Sequence, residues 1–171
     1  MQLSILNWIS HPKDFPIPTR KRRRLIVAAK TEVTEVLLVE DNPGDTRLTF
    51  EAIRDCEVPL NLNVARDGVE AMAYLRREGR YSSAERPALI LLDLNLPGKG
   101  GREVLAEIKC DPELKRIPVV VLTTSQSEDD IAAAYGLYAN CYVRKPADIN
   151  QLSGIVKGIE DFWLTKVRLP C

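Results

Sequence analysis

Histidine is almost missing from this chain: His11 is the one instance in 171 residues. The four cysteines, Cys56, Cys110, Cys141 and Cys171, fall into no C-x-x-C or other metal-ligand spacing. Together these absences exclude the usual zinc sites, which need clustered Cys and His. The scattered cysteines fit free thiols in a reducing cytosol. No apolar run approaches the ~18–20 residues that a membrane span needs. The first ten residues are mildly apolar but lack the basic n-region and small-residue cleavage site of a signal peptide. A cytoplasmic location without a membrane partner is the expectation. Net charge is missing too, since Lys+Arg and Asp+Glu are both 24, and the whole chain gives no electrostatic hint of a partner.

That balance hides an asymmetry. Residues 1–34 hold seven basic groups against two acids, a charge of +5 that leaves −5 for the remainder. Pro12, Pro16 and Pro18 punctuate this stretch, "RKRRR" (Arg20–Arg24) sits in its middle, and neither a helical nor a strand period persists. Residues 1–34 are therefore expected to be an extension, disordered or weakly helical. A basic run can bind nucleic acid through its phosphates, but a solvated tail is the simpler reading. Nucleic acid is not expected as a partner beyond weak contact through this tail.

From residue 35 a regular text begins, in a chain that is 45% hydrophobic and so able to bury a core. "VLLVED" (Val36–Asp41) reads as a buried strand ending in acids, and Asn42, Pro43 and Gly44 open a helix that runs to about Cys56, with Asn42 as a possible cap. "LNLNVA" (Leu60–Ala65) alternates with period two, as a strand does. Gly68–Gly79 is predicted as a helix with Ala71, Met72 and Leu75 inward. A polar stretch leads to a strand over Ala88–Asp93, and Arg102–Lys109 forms the next helix. "IPVVVLTTS" (Ile117–Ser125) is the most emphatic strand. Ser127 with Asp130 three residues on has the pattern of a capping box. Asn140–Pro146 is a fifth strand. The last helix starts near Asp148, with Ile149, Leu152, Ile155, Val156, Ile159, Phe162 and Trp163 at helical spacing.

The order is (βα) five times. Strands apolar on nearly every residue suit a parallel sheet covered on both faces, and right-handed crossovers distribute helices over both. The expected fold is α/β: a doubly wound, five-stranded parallel sheet. In such sheets ligands sit at the carboxyl ends of the strands, near a topological switch point.

Polar residues collect at those ends. The first strand ends in Glu40 and Asp41, the third in Asp93, the fourth in Thr123 and Thr124; the fifth carries Tyr142 and ends in Lys145. Asp93 follows the apolar run Ala88–Leu92, where an unpaired charge would be costly to bury. If the sheet is parallel, these groups converge. Three carboxylates close together repel one another and call for a cation, and an all-oxygen site with open positions suits Mg²⁺. A lysine and a hydroxyl beside such a cation suit a phosphoryl group. A carboxylate in that setting can act as a nucleophile and form an acyl phosphate. Taken singly each residue has a plainer role: Asp93 as a turn residue, Thr123 as a β-former, Lys145 as a solvated lysine, Tyr142 as packing. Their shared phase at the ends of different strands is what argues for a site.

The segments "LLVEDN", "LILLDLNLPGKGG", "IPVVVLTTS" and "YVRKP" resemble the receiver domains of two-component response regulators, from about Glu35 to Leu164. Thr123 lies 30 residues after Asp93 and Lys145 lies 52 after it, as in that family. The resemblance implies a CheY-like, flavodoxin-like fold with strand order 2-1-3-4-5. It implies that Asp93 accepts a phosphoryl group from a phosphohistidine on a sensor histidine kinase. Asp41, Asp93 and the backbone carbonyl of Asn95 would ligate Mg²⁺ or Mn²⁺, with Glu40 acting through a water. Lys145 would pair with the phosphoryl oxygens, Thr123 would swing its hydroxyl toward them with Thr124 beside it, and Tyr142 would move inward. Pro97 and Gly98 would shape the loop after Asp93, and Pro146 would follow the lysine, commonly through a cis bond. More narrowly, "VEDNPGDTRL", "RREGRYSSAERP" and "IEDFW" are similar to the small single-domain regulators of bacterial and cyanobacterial phytochrome kinases.

The resulting organisation is an extension over 1–34, a receiver domain over 35–165 and a short tail over 166–171. Neither end has room for a DNA-binding or catalytic output domain, so a protein contact is the expected output. The apolar stripe of the last helix serves either as core packing or, with the last strand, as a homodimer face. No enzyme activity is expected beyond Mg²⁺-dependent self-phosphorylation and self-dephosphorylation. Two other readings compete. A receiver-like module that is not phosphorylated would lack the acidic pair or the lysine, and this chain keeps them. An aspartyl phosphatase would use Asp-x-Asp, and here the second position is Asn95, which cannot protonate a leaving group.

Overall fold

A computed structural model describes residues 33–54, 58–146 and 148–169. All of the expected extension except Val33 and Thr34 lies outside the described residues, as do Cys56 and Cys171. Strands and helices alternate along the chain: β1 (Thr34–Val39), α1 (Pro43–Arg54), β2 (Leu60–Ala65), α2 (Gly68–Leu75), β3 (Leu89–Leu92), α3 (Gly101–Cys110), β4 (Val119–Thr123), α4 (Glu128–Gly136), β5 (Cys141–Arg144) and α5 (Ile149–Glu160). β1 thus opens one residue before the boundary read from the sequence. A 3₁₀ turn, Gly79–Tyr81, precedes β3. The pairs are parallel and the order is β2-β1-β3-β4-β5, the doubly wound sheet expected from the sequence. The switch point lies between β1 and β3.

The continuous apolar runs have a simple cause. Successive strand residues point to opposite faces, and both faces are covered. Leu37, Val39, Ile90, Leu92, Val119 and Val121 pack with Val104, Leu105 and Ile108 of α3 and with Ala71, Met72 and Leu75 of α2. Val36, Leu38, Leu89, Leu91 and Val120 form the other side with Ile159, and Leu122 joins Ala52, Ile53, Leu152 and Val156 of α1 and α5. Each such Leu or Ile withdrawn from water contributes roughly 1.5–3 kcal/mol. β5 is the exception. It is an edge strand, so Cys141, Tyr142 and Val143 are half-buried and Arg144 is exposed.

The helix ends differ from the sequence reading in instructive ways. α2 stops at Leu75 rather than Gly79. There Arg77 takes a left-handed φ of 58°, and Glu78 N–H donates to the Ala73 carbonyl while Arg77 N–H donates to that of Tyr74. This is a Schellman stop built on a non-glycine residue, which no glycine signal announces. α4 ends the same way: Tyr138 has φ 62°, and Ala139 N–H donates to the Ala134 carbonyl. The capping box expected at Ser127 does not form, because Ser125 and Arg102 occupy the Asp130 carboxylate. Asn42 does cap α1, accepting from Gly44 N–H at 2.8 Å.

The stripe of the last helix divides. Leu152, Val156 and Ile159 are core, and Trp163 packs partly against it, whereas Phe162 is 54% exposed. Beyond Glu160 the backbone widens into a π-helical turn, Asp161–Lys166, with Val167 N–H donating to the Phe162 carbonyl five residues back. The wider turn breaks the 3.6-residue period and rotates Phe162 off the core face. Pro146 also departs from expectation. No peptide bond among the described residues is cis, so Lys145–Pro146 is trans, the isomer that an X-Pro bond favours by about 0.5–1 kcal/mol.

Tyr138 is 77% exposed, so little packing compensates its left-handed backbone. That conformation costs a non-glycine residue roughly 1–2 kcal/mol, against roughly 0.5–1 kcal/mol for the entropy of glycine. Tyr138→Gly is therefore expected to stabilise the fold by about 0.5–1 kcal/mol. A higher urea midpoint at unchanged slope is the expected reading; an unchanged or lower midpoint contradicts it.

Candidate functional site

The strand register builds the site. Val39 lies opposite both Ala65 and Leu92, so the residues that follow, Arg66, Glu40 and Asp93, leave the sheet in one row at its carboxyl edge. The ladder carries through them: Glu40 N–H donates to the Ala65 carbonyl at 2.9 Å and Asp93 N–H to that of Val39 at 3.0 Å. On the far side Lys145 N–H donates to the Thr123 carbonyl at 2.8 Å, which turns the lysine side chain back over β3 and β1.

There Lys145 meets three carboxylates. Its Nζ donates to Asp93 Oδ2 at 2.6 Å, to Asp45 Oδ2 at 2.9 Å and to Glu40 Oε2. An ammonium has three donors, and all are used. Lys145, Glu40 and Asp93 are 6%, 2% and 5% exposed, so these are charges taken out of water, which stand only when paired. Asp93 Oδ1 accepts from Asn95 N–H at 2.9 Å, and Glu40 Oε1 from Asn42 N–H at 3.0 Å. Burial pushes the Glu40 carboxyl up, and Lys145 and the Asn42 amide only partly offset this. Burial pulls the Lys145 ammonium down, but the hydrogen bonds and charges of Asp93 and Glu40 together outweigh it and hold its pKa above the usual lysine value.

The hydroxyls form a second group. Thr123 is fully buried; its Oγ1 accepts from Asn95 Nδ2 at 3.3 Å and from Ser125 N–H at 3.4 Å. Asn95 also reaches Thr124 Oγ1 at 3.3 Å. Half-buried Tyr142 donates its hydroxyl to the Ser125 carbonyl at 3.2 Å. Pro146 is half-buried beside the lysine. Asp41 is exposed and stands outside the lysine's cluster, on an open cleft of about 980 Å³ shared with Glu40, Arg66 and Tyr81. The fold thus brings Glu40, Asp93 and Lys145 together, places Thr123, Thr124 and Asn95 beside them, and leaves Asp41 at the mouth.

Sequence reasoning missed Asp45 and the side chain of Asn95. Asp45 lies in the first turn of α1, where an acid is ordinary because it complements the helix dipole. Nothing local marks it as a partner of a lysine 100 residues away. For Asn95 the sequence points to the backbone carbonyl as a metal ligand and to a side chain that is no acid, but not to its bonds with Thr123 and Thr124.

The donors fit a divalent cation by chemistry: they are all oxygen, and three carboxylates against one ammonium leave two negative charges in excess. Glu40, Asp45 and Asp93 converge on the lysine itself, and among the described residues no three such side chains are set to hold a metal ion. Among the same residues no helix is long and apolar enough to cross a membrane, and Cys110 and Cys141 are free thiols.

Residues 36–157 match the family model of the response regulator receiver domain. This chain belongs to that family. The receiver is 55% identical over 135 residues to the response regulator Rcp1 of Synechocystis, spanning 79% of this chain and 92% of that protein. Among solved structures it is similar to the phosphorylated cyanobacterial phytochrome response regulator RcpA, at 60% identity and a TM-score of 0.80, covering 81% of this chain and 99% of that one. The Mn²⁺-bound form of Rcp1 is 54% identical with a TM-score of 0.79, at the same coverage. The receiver's function therefore lies in two-component signalling, and receiver domains bind divalent metal.

Removing the lysine of this receiver leaves two buried carboxylates and Asp45 without a counter-charge. Lys145→Met is expected to cost about 3–5 kcal/mol near neutral pH. With the lysine gone, only the Asn42 amide offsets the burial that raises the Glu40 carboxyl, so the loss shrinks as pH falls toward the carboxylate range. In the wild type the raised Lys145 pKa works the other way round: its contribution is whole below the ordinary lysine value and is lost as pH rises through the folded one. Urea unfolding between about pH 4.5 and 7.5 checks the variant, and a pH-independent loss contradicts this account.

Proposed function

We infer that this receiver is a phosphoacceptor of a cytoplasmic two-component relay, with Asp93 the acceptor. The observation that carries the reading is the buried Asp93 carboxylate, held on Lys145 at the carboxyl edge beside the switch point. The donor is a phosphohistidine on a sensor histidine kinase. An Asp93 oxygen attacks phosphorus, the P–N bond breaks, and the pair of electrons leaves with the imidazole, giving an acyl phosphate. Lys145 then exchanges carboxylate oxygens for phosphoryl oxygens and screens their charge. Thr123 donates its hydroxyl to the same group, giving up Asn95 and Ser125, and Tyr142 follows the loop inward, with Thr124 and Pro146 bracketing the site.

The cation is Mg²⁺ or Mn²⁺, and bound there it would neutralise charge on the transferring phosphoryl. Asp93, Asp41 and the Asn95 carbonyl would hold it, with Glu40 acting through a water. Two features support this set: the excess of two negative charges and the exposed, uncommitted position of Asp41. The receiver does no chemistry on a released substrate; its own phosphorylation and dephosphorylation are the whole cycle.

A phytochrome is the kinase that the comparisons favour, because RcpA is a phytochrome response regulator and the likeness spans nearly all of that chain. The half-buried Val143 and the exposed Phe162 make a homodimer through β5 and the end of α5 a compatible output.

Incubation with acetyl phosphate and Mg²⁺ is expected to add one phosphoryl group by intact mass, and EDTA or Asp93→Asn to abolish it. Wild-type labelling of Asp93→Asn overturns the assignment.

A further inference from the structure

The chain holds a second charged cluster, away from the carboxylates. Asp130, in the first turn of α4, accepts from Ser125 Oγ and pairs with Arg102 of α3. Both ends of this link lead to the site. Arg102 follows Gly101, whose N–H donates to the Leu94 carbonyl at 3.1 Å. Gly101 sits so close that a Cβ there would overlap the Asp93 carbonyl oxygen. α3 is thereby fixed to the backbone of the acceptor. At the other end Ser125 is a node. Its N–H donates to Thr123 Oγ1 at 3.4 Å, and its carbonyl accepts from the Tyr142 hydroxyl at 3.2 Å.

We propose that Arg102, Asp130 and Ser125 form a latch that holds the β4–α4 loop in its resting position and sets how readily Thr123 and Tyr142 switch. The proposal rests on the phosphoacceptor reading above. Ser125 N–H holds the Thr123 hydroxyl toward the loop, and Asp130, itself paired with Arg102, accepts the Ser125 hydroxyl and so holds Ser125 in place. The latch ties the loop to α3, whose Gly101 packs directly on the Asp93 backbone. Arg102 and Asp130 are positioning residues, since neither touches the reacting atoms. Their side chains are 46% and 20% exposed, so the pair is a modest restraint rather than a lock. A modest restraint suits a switch, because a ligand's apparent affinity scales with the fraction of molecules already competent to receive it.

The test uses beryllofluoride with Mg²⁺, a non-hydrolysable mimic of the phosphoryl group, titrated into the full chain. Arg102→Ala and Asp130→Asn are each expected to bind it about threefold to fivefold more tightly than the wild type, and Arg102→Lys to return most of the way. In the unliganded variants the Ser125 and Thr123 amide resonances are expected to move along the line toward their beryllofluoride-bound positions. Urea midpoints near the wild-type value separate this from general loosening. Equal or weaker affinity in both variants, with Asp93→Asn abolishing uptake, overturns the latch and leaves the acceptor reading standing. Uptake by Asp93→Asn at wild-type affinity, or none by the wild type, overturns the acceptor reading and the latch with it.

Discussion

A single ammonium holding three carboxylates is the constraint around which this molecule is arranged. Lys145 comes from the end of β5, Asp93 from β3, Glu40 from β1 and Asp45 from α1, so one side chain joins elements that are far apart in sequence. Its burial strengthens each contact by lowering the local dielectric. The same burial makes the charges intolerable singly. The cluster therefore exists only when the sheet has closed in its native order. It also carries two negative charges in excess, which favours a cation.

The rest of the sheet serves this arrangement by being inert. β3 and β4 are buried along their whole length, and their side chains fill both faces at alternate positions. A strand with no polar content of its own can carry a carboxylate at its end because the charge emerges where the helices stop covering the sheet. The edge beyond β4 is looser. β5 is half-buried, the β4–α4 loop is tied by side-chain bonds rather than by core packing, and Tyr142 rests on that loop through one hydrogen bond. The buried strands and this edge meet at Thr123, which belongs to β4 by its backbone and to the loop by its hydroxyl.

Much of this was legible in the chain. Apolar strands, helical spacing in α3 and α5, and the Asn42 cap all reflect periods and preferences that act within a few residues. The placement of Glu40, Asp93, Thr123 and Lys145 at strand ends was legible as well, because in a parallel sheet every strand end of the same phase arrives at the same edge. The misreadings share a cause. α2 ends at Leu75, short of Gly79, because Arg77 takes a left-handed conformation that its side chain does not advertise. Ser127 and Asp130 carry a cap pattern, but Arg102 and Ser125 compete for the acid. Phe162 continues the apolar period, but a π-helical turn rotates it away.

The sequence by itself determined the α/β class, the alternation of elements and the edge where function collects, since each follows from local periodicity and from the handedness of chain crossovers. Only the tertiary structure decided which acids share the lysine: Asp45 enters the cluster and Asp41 stays at the mouth. It alone decided that Asn95 holds two threonine hydroxyls and that α3 reaches α4 through Arg102. These are contacts between side chains brought together by closure of the sheet, and their geometry depends on packing that no short stretch of chain encodes.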